Sequence, residues 1–299
     1  MSVPIIGRDV EPKLDWIALT RAIKAGHALP RAEIGDTFLW RGPDTLLSRA
    51  AWVDGMGAVV KTATVFPGNV EAGLPSIGGT VSLFSDADGA LEAILDFHLV
   101  TKWKTAGDSL LGALRLAPPK VETILIVGAG TVGHSLRAAY GAGFPGAVFE
   151  VWNRTGDRAR AFADSHPNIR AVSDLAGAVA RADIVTCATM SGEPVIRGNW
   201  LRPGQHLDLI GAYRADMREA DDAALQRGRV FVDSFATTLD HIGELKIPLA
   251  SGAISRNAVL ADFYDLDRFQ RGPEDITVFK NGGGAHLDLM TARYILGVA

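Results

Sequence analysis

An α/β fold is predicted, with a doubly wound parallel sheet following a smaller α+β region, on three features of the chain. Residues 122–155, ETILIVGAGTVGHSLRAAYGAGFPGAVFEVWNRT, read as a buried strand, a glycine turn, a helix and a second strand. From residue 121 onward, strand and helix patterns alternate. Before that point, short strand-like runs lead into one long helix, which Pro118-Pro119 stops.

A helical pattern opens the chain at residues 15–26, and strand-like pieces follow at 37–41, 45–53, 56–65 and 79–84. The turn-rich Ser85-Asp86-Ala87-Asp88-Gly89 separates two apolar runs, which is a hairpin signal. The long helix covers 97–116. Antiparallel pieces followed by a helix suggest a first domain of α+β type. Beyond it the strands TILIV, AVFEVW, IRAV, DIVTCA, HLDLIG and RVFVDS alternate with helices at 156–165 and 174–180. That alternation is the Rossmann-type doubly wound arrangement. Near the end, ITVF reads as one more strand and 286–296 as an amphipathic helix. This tail is expected to return to the first domain and leave a cleft between the two. The expected division is therefore 1–118 with 276–299, and 119–275.

A chain of 299 residues can bury two sizeable cores. Its net charge of -4 gives no reason to expect nucleic acid or an anionic membrane as partner. Cys187, the single cysteine, lies in the apolar run ADIVTCAT and reads as a buried filler with no partner for a disulfide. No apolar run reaches membrane-spanning length, no basic-then-apolar leader opens the sequence, and no cysteine–histidine cluster has metal spacing. A cytoplasmic protein is expected.

Gly128, Gly130 and Gly133 form G-x-G-x-x-G between strand and helix. The first glycine permits the tight turn, the second lets a pyrophosphate approach the backbone, and the third lets helix and strand pack closely. A helix is expected over 132–142, and the free N–H groups at its start, around Thr131 and Val132, suit phosphate. A dinucleotide is the expected ligand. The next strand ends in Asn153-Arg154-Thr155, with no carboxylate to accept a ribose 2′-hydroxyl and a guanidinium available for a 2′-phosphate. NADPH is therefore favoured, with NADH as the alternative. Glu150 lies inside that strand, too far back to reach a ribose.

In the first domain Lys61 ends an apolar strand ahead of Pro67-Gly68-Asn69 and Pro75-Ser76. Such a lysine can offer its ammonium to a substrate carboxylate; the plainer reading is a solvated surface lysine. Lys104, Thr105, Asp108 and Ser109 neighbour one another on the long helix. Lys104 is a candidate second cation, or else a solvent-facing lysine opposite the Leu110, Leu111 and Leu114 stripe.

The ordered segments VKTATVFPGN, GLPSIGGTVSLF, LVTKWKTAGDSLLGALRLA, VGAGTVG, DLIGAYRADMREADD and FKNGGGAHLDL resemble the ornithine cyclodeaminase/μ-crystallin family over nearly the whole chain. That resemblance implies a Rossmann domain plus a substrate domain that also forms a homodimer interface. It places Lys61 on the family's catalytic lysine. The family's TxxRTA arginine is replaced here, in Thr101-Lys102-Trp103-Lys104-Thr105-Ala106, by Lys104, which can neutralise a carboxylate without bidentate geometry. Arg31, in LPRAEI, matches a further carboxylate-binding arginine. Tyr213 stands where true cyclodeaminases carry an aspartate, and Asp216 lies three residues further on. Losing that carboxylate argues against deaminating cyclisation. The GxYxxDMREADD form resembles members that reduce Δ1-pyrroline-2-carboxylate, and often Δ1-piperideine-2-carboxylate, to L-proline and L-pipecolate. The alternatives are a cyclodeaminase, an amino-acid dehydrogenase, or a non-enzymatic ligand-binding protein of μ-crystallin type. Phe66, Pro75 and Tyr213 are candidates to line a small ring pocket, and Thr105 and Asn281 to contact phosphate or nicotinamide. His286 reads as structural, and Asp288 falls at a family position near the close of the cleft.

Overall fold

The computed structural model describes residues 3–299. In chain order, β1 (Ile5–Ile6) is followed by α1 (Trp16–His27). Asp15 caps that helix by accepting the Ala18 N–H at 2.7 Å. Its buried residues Trp16, Leu19, Thr20, Ile23 and His27 recur every three or four positions, which is one helix face. An antiparallel run follows: β2 (Glu33–Arg41), β3 (Asp44–Val53), β4 (Gly57–Val65), β5 (Ile77–Phe84) and β6 (Leu91–Asp96). Then comes α2 (Phe97–Leu116), with the bounds the sequence predicts; Asp96 accepts the Leu99 N–H at its start.

The parallel part begins with β7 (Thr123–Val127), α3 (Thr131–Gly143), β8 (Val148–Trp152), α4 (Gly156–Asp164) and β9 (Ile169–Ala171). It continues through α5 (Leu175–Arg181), β10 (Ile184–Cys187), β11 (His206–Leu209), α6 (Asp222–Arg227) and β12 (Arg229–Val232). Two short helices, α7 (Phe235–Thr238) and α8 (Gly243–Ser251), precede β13 (Thr277–Lys280) and α9 (Ala285–Val298).

The chain divides into two compact units, residues 1–104 with 284–299, and residues 105–283. In the first, the sheet order is β1-β6-β5-β4-β3-β2, antiparallel apart from the β1–β6 pair. Inward residues Ala51, Val53, Val59, Ala63, Val81, Leu83, Ala93 and Leu95 form its core. Alternate positions face the other way, as a pleated strand requires. The helices α1 and α9 pack together in this unit. Met290 lies so close to Gly26 that a Cβ there would sit 2.5 Å from it.

The second unit carries a seven-stranded, wholly parallel sheet in the order β12-β13-β11-β10-β7-β8-β9. Two boundaries differ from the sequence expectation. Residues 105–118 belong to this unit, and β13 pairs in parallel with β11 on one side and β12 on the other. Every residue of β13 is buried, so it is a central strand of the doubly wound sheet, and the return to the first unit starts at Gly284. Cys187 is buried in β10, as expected. No helix among the described residues is long and apolar enough to cross a membrane.

Candidate active site

Lys61 is not a solvated surface lysine. It sits on the inward face of β4, only 6 % exposed, among Val59, Ala63 and Val81. Its Nζ donates to Asp288 Oδ1 at 2.8 Å and lies 4.8 Å from the centre of the Phe97 ring. Burial pushes the Lys61 ammonium below its ordinary pKa; Asp288 offsets part of this, while Lys104 and Arg49 add to it. Asp288, fully buried on α9, behaves in the opposite sense. Burial pushes its carboxyl up, but Lys61, Lys104 and Arg49 outweigh that and hold it below the ordinary value.

Lys104 is 9 % exposed on α2, and its ammonium makes no hydrogen bond or ion pair among the described residues. Next to it, Trp103 stacks on Trp16 with ring centroids 3.9 Å apart, and its Nε1 donates to Glu11. The first unit thus gathers Lys61, Lys104, Arg49 and Asp288 into one electrostatic cluster. Arg49 is paired in turn with Asp36, its Nη2 donating to Oδ2 at 2.7 Å. Three cations against two anions leave one positive charge uncompensated, on Lys104, which is what a carboxylate-bearing ligand needs. His286 is buried in edge-on contact with His27, the ring centroids 5.3 Å apart. Burial, with His27 and Lys104, keeps it well below its ordinary pKa, consistent with a structural neutral imidazole. Arg31 is exposed on the segment between α1 and β2.

Sequence reasoning did not find Arg49 and Asp36, and it left Asp288 without a purpose. The signal for Arg49 was available. The β3–β4 hairpin aligns Arg49 with Lys61 and Ala51 with Val59, so a charged residue occupies a position of inward parity.

The second unit builds the dinucleotide end. Gly128 has φ +116°, and a Cβ there would meet the Ala188 carbonyl oxygen at 2.6 Å. A Cβ on Gly133 would lie 2.3 Å from the Gly128 oxygen, whereas one on Gly130 would meet nothing within 4 Å. Turn, close packing and open approach are thus divided among the three glycines as the motif requires, and the open position is where phosphate would come. Thr131 and Val132 begin α3 beside that space. Asn153 ties strand tip to loop, accepting the Ala129 N–H at 3.2 Å and donating to the Thr155 carbonyl at 3.0 Å. Arg154 and Thr155 are exposed, and the Arg154 guanidinium has no hydrogen-bonding or ion-pair partner among the described residues. Glu150 is buried behind them, gripped by Arg170 and Arg181. Burial raises its carboxyl, yet those guanidiniums outweigh it and hold the group below its ordinary value.

Asn281 is buried after β13, donates to Ser109 Oγ at 3.2 Å, and keeps its Oδ1 without a partner. Thr105 is half-buried on α2. Tyr213 is 58 % exposed on the loop after β11, with the Arg214 guanidinium 5.7 Å from its ring centre. Below that loop, Glu219 accepts the N–H groups of Thr189, Gly211 and Ala212. Burial pushes its carboxyl up to about 7, with Lys280 opposing and Glu244 adding.

Residues 51–298 match the model of the ornithine cyclodeaminase/mu-crystallin family. The chain belongs to this family. It is 51 % identical over 299 residues to the Delta(1)-pyrroline-2-carboxylate reductase of Paracoccus denitrificans, covering 97 % of this chain and 95 % of that protein. It is 32 % identical to the ketimine reductase mu-crystallin of Rattus norvegicus, over 79 % of this chain and 74 % of that one. Among solved structures, the Thermococcus litoralis Delta(1)-pyrroline-2-carboxylate reductase in complex with NADH and L-proline superposes with a TM-score of 0.90. At 23 % identity, over 99 % of this chain and 97 % of that one, this likeness establishes the shared family fold.

Proposed function

We infer that this family member reduces a small cyclic imino acid, Δ1-pyrroline-2-carboxylate and by the same chemistry Δ1-piperideine-2-carboxylate, to L-proline and L-pipecolate. The observation that carries the reading is the buried Lys61–Asp288 pair beside the unpartnered ammonium of Lys104. Likeness to the Paracoccus denitrificans reductase supports it. Lys104 takes the substrate carboxylate, filling the one uncompensated charge. Lys61 is then left to hydrogen-bond the ring nitrogen and give up its proton there. An ammonium whose pKa burial has lowered suits a proton donor working near neutrality. Asp288 keeps that ammonium in place by accepting a hydrogen bond from it. When bound, the nicotinamide supplies the hydride.

The residues for the cofactor are Gly128, Gly130, Thr131, Val132 and Gly133 at the pyrophosphate, and Asn153, Arg154 and Thr155 at the ribose. Thr105 and Asn281 are further polar contacts. The free Arg154 guanidinium and the absence of a carboxylate at the strand tip favour NADPH, with NADH as a usable second donor. Arg31 and Tyr213 are assigned to the substrate pocket. Tyr213 in place of a carboxylate disfavours ornithine cyclisation.

A second copy of the chain is the proposed partner. The outward face of the first sheet carries Leu39, Leu46 and Trp52 exposed, with Ala50, Ala58, Val60 and Phe84 between and beside them. Trp52 alone is 55 % exposed, and exposed apolar side chains gathered on one sheet face mark an association surface.

Purified protein incubated with Δ1-pyrroline-2-carboxylate and NADPH, followed at the nicotinamide absorbance, tests the reading. Oxidation of cofactor with L-proline as product is expected. Ammonia release from ornithine without imine reduction would establish a cyclodeaminase. Tight NADPH binding without turnover on any imine would establish a ligand-binding role. Sedimentation of the protein, expected at twice its chain mass, tests the dimer.

A further inference from the structure

One row of paired residues crosses the first sheet on its inward face. Asp36 of β2 is opposite Arg49 of β3, which is opposite Lys61 of β4, which is opposite Val81 of β5. The charged end of the row stands where neighbouring inward positions are Ala51, Val59 and Ala63. Asp36 clamps the Arg49 guanidinium at two points, accepting Nη2 at 2.7 Å and Nε at 3.3 Å. That leaves Nη1 unused. Asp288, reaching the row from α9, accepts from Lys61 through Oδ1 and keeps a buried Oδ2 with no hydrogen-bond partner among the described residues.

We propose that Arg49 is a positioning residue of the reduction: facing Asp288, it keeps that carboxylate ionised, and the carboxylate in turn anchors the Lys61 ammonium. Asp36 holds the guanidinium in the orientation this requires. An anion buried beside an equally buried lysine is exposed to a simple failure, in which the proton passes to the carboxylate and both groups become neutral. A guanidinium does not release its proton, so a third charge of this kind blocks that escape in a way a lysine cannot. The carboxyl of Asp288 is accordingly held low, against burial, by Lys61, Lys104 and Arg49 together. Among the described residues, the charged or titratable groups around the pair are Asp36 on β2, Arg49 on β3, Lys104 on α2, His27 on α1 and His286 on α9. Burial and the neighbouring Lys104 and Arg49 hold His286 well below its ordinary value, so Asp288 is the group whose protonation breaks the arrangement from the acid side. The side chains of Arg49 and Asp36 are 25 % and 29 % exposed, which makes the pair reachable by mutation without opening the core.

The proposal uses the reductase reading only for its kinetic readout, and a measurement free of turnover accompanies it. Lysine labelled with 13C at Cε is incorporated into wild type, Arg49→Met, Arg49→Lys and Asp36→Asn, with Lys61→Met to assign the signal. The Lys61 resonance is then followed against pH. Its acid-side inflection, which reports Asp288, is expected to move up by about one pH unit in Arg49→Met. It should move up by smaller steps of the same sign in Arg49→Lys, which keeps a charge that can still be lost, and in Asp36→Asn. The acid limb of kcat/KM for imine reduction should follow the same order. An inflection unmoved in Arg49→Met overturns the proposal. So does a KM raised equally at every pH with the limb in place, since that would make Arg49 a direct carboxylate ligand. Should Arg49→Met fail to fold by circular dichroism, Asp36→Asn and Arg49→Lys decide alone, an unmoved inflection in Asp36→Asn counting against the proposal. Wild type that turns over no imine would refute the reductase reading and leave the resonance test intact.

Discussion

Replacing Asp288 by Asn removes the anion from a pair in which the lysine side chain is 8 % exposed and the carboxylate not at all. Lys61 is then left among Lys104 and Arg49, both of its own sign. Breaking a buried ion pair from one side costs about 3–5 kcal/mol. An upper bound comes from the escape route, deprotonation of Lys61 in the folded chain. That costs about 1.4 kcal/mol for each pH unit below the free lysine value of 10.5, hence roughly 5 kcal/mol at pH 7 and 2 kcal/mol at pH 9. The sign follows from proton counting. With the folded pKa of Lys61 depressed, the unfolded chain binds more protons between the two values, so stability rises with pH across that window. Asp288→Asn depresses the folded value further, and its penalty must therefore shrink as pH climbs toward 10.5. The expected loss is about 3 kcal/mol at pH 7, a Tm drop of about 6–12 °C, and less than about 2 kcal/mol at pH 9. Thermal unfolding of both proteins at the two pH values measures it. A loss below about 1 kcal/mol at pH 7, or one identical at pH 9, would refute the buried-pair argument.

Lys104→Met should raise KM for the imine by roughly 10–100-fold with a smaller effect on kcat, the worth of one charge-assisted contact. Steady-state kinetics with proline formation as readout checks this. Gly133→Ala forces a Cβ to within 2.3 Å of the Gly128 oxygen, which is backbone and cannot swing aside. Fluorescence titration should show NADPH and NADH binding both weakened, by about tenfold or more. Arg154→Ala should weaken NADPH by roughly 10–100-fold and NADH by no more than about twofold, since only the former carries a 2′-phosphate. Equal losses in the same titration would show that the strand tip does not read the phosphate. Tyr213→Asp should still release no measurable ammonia from ornithine, because a carboxylate alone on an exposed loop does not position the amine.

The glycine turn was legible because each glycine answers a local backbone demand, and the structure returns those demands as φ +116° at Gly128 and two forbidden Cβ positions. The bounds of α2 were legible from a stripe of leucines and a Pro-Pro stop. What depended on distant pairing was not. Lys61 and Asp288 are 227 residues apart, and nothing in the periodicity near either one names the other. The family resemblance put Lys61 at the chemistry; only the fold shows which carboxylate holds it. The placement of β13 failed for a related reason. The run ITVF carries no mark of its neighbours in the sheet, and the Lys280 that follows it buries its ammonium by donating to the carbonyls of Leu209 and Ala212. Carbonyl groups supplied by a neighbouring strand and loop are invisible in sequence.

Insertion of residues 277–280 between two earlier strands also bears on how the molecule is made. Until β13 is in place, β11 and β12 have no common neighbour, and each presents an unpaired margin. A chain cut near Gly272 would therefore hold the five paired strands from β11 to β9, with β12 left outside that sheet. Completion of the parallel sheet waits on residues 277–280, and those four residues lead into the helix that delivers Asp288 to its lysine.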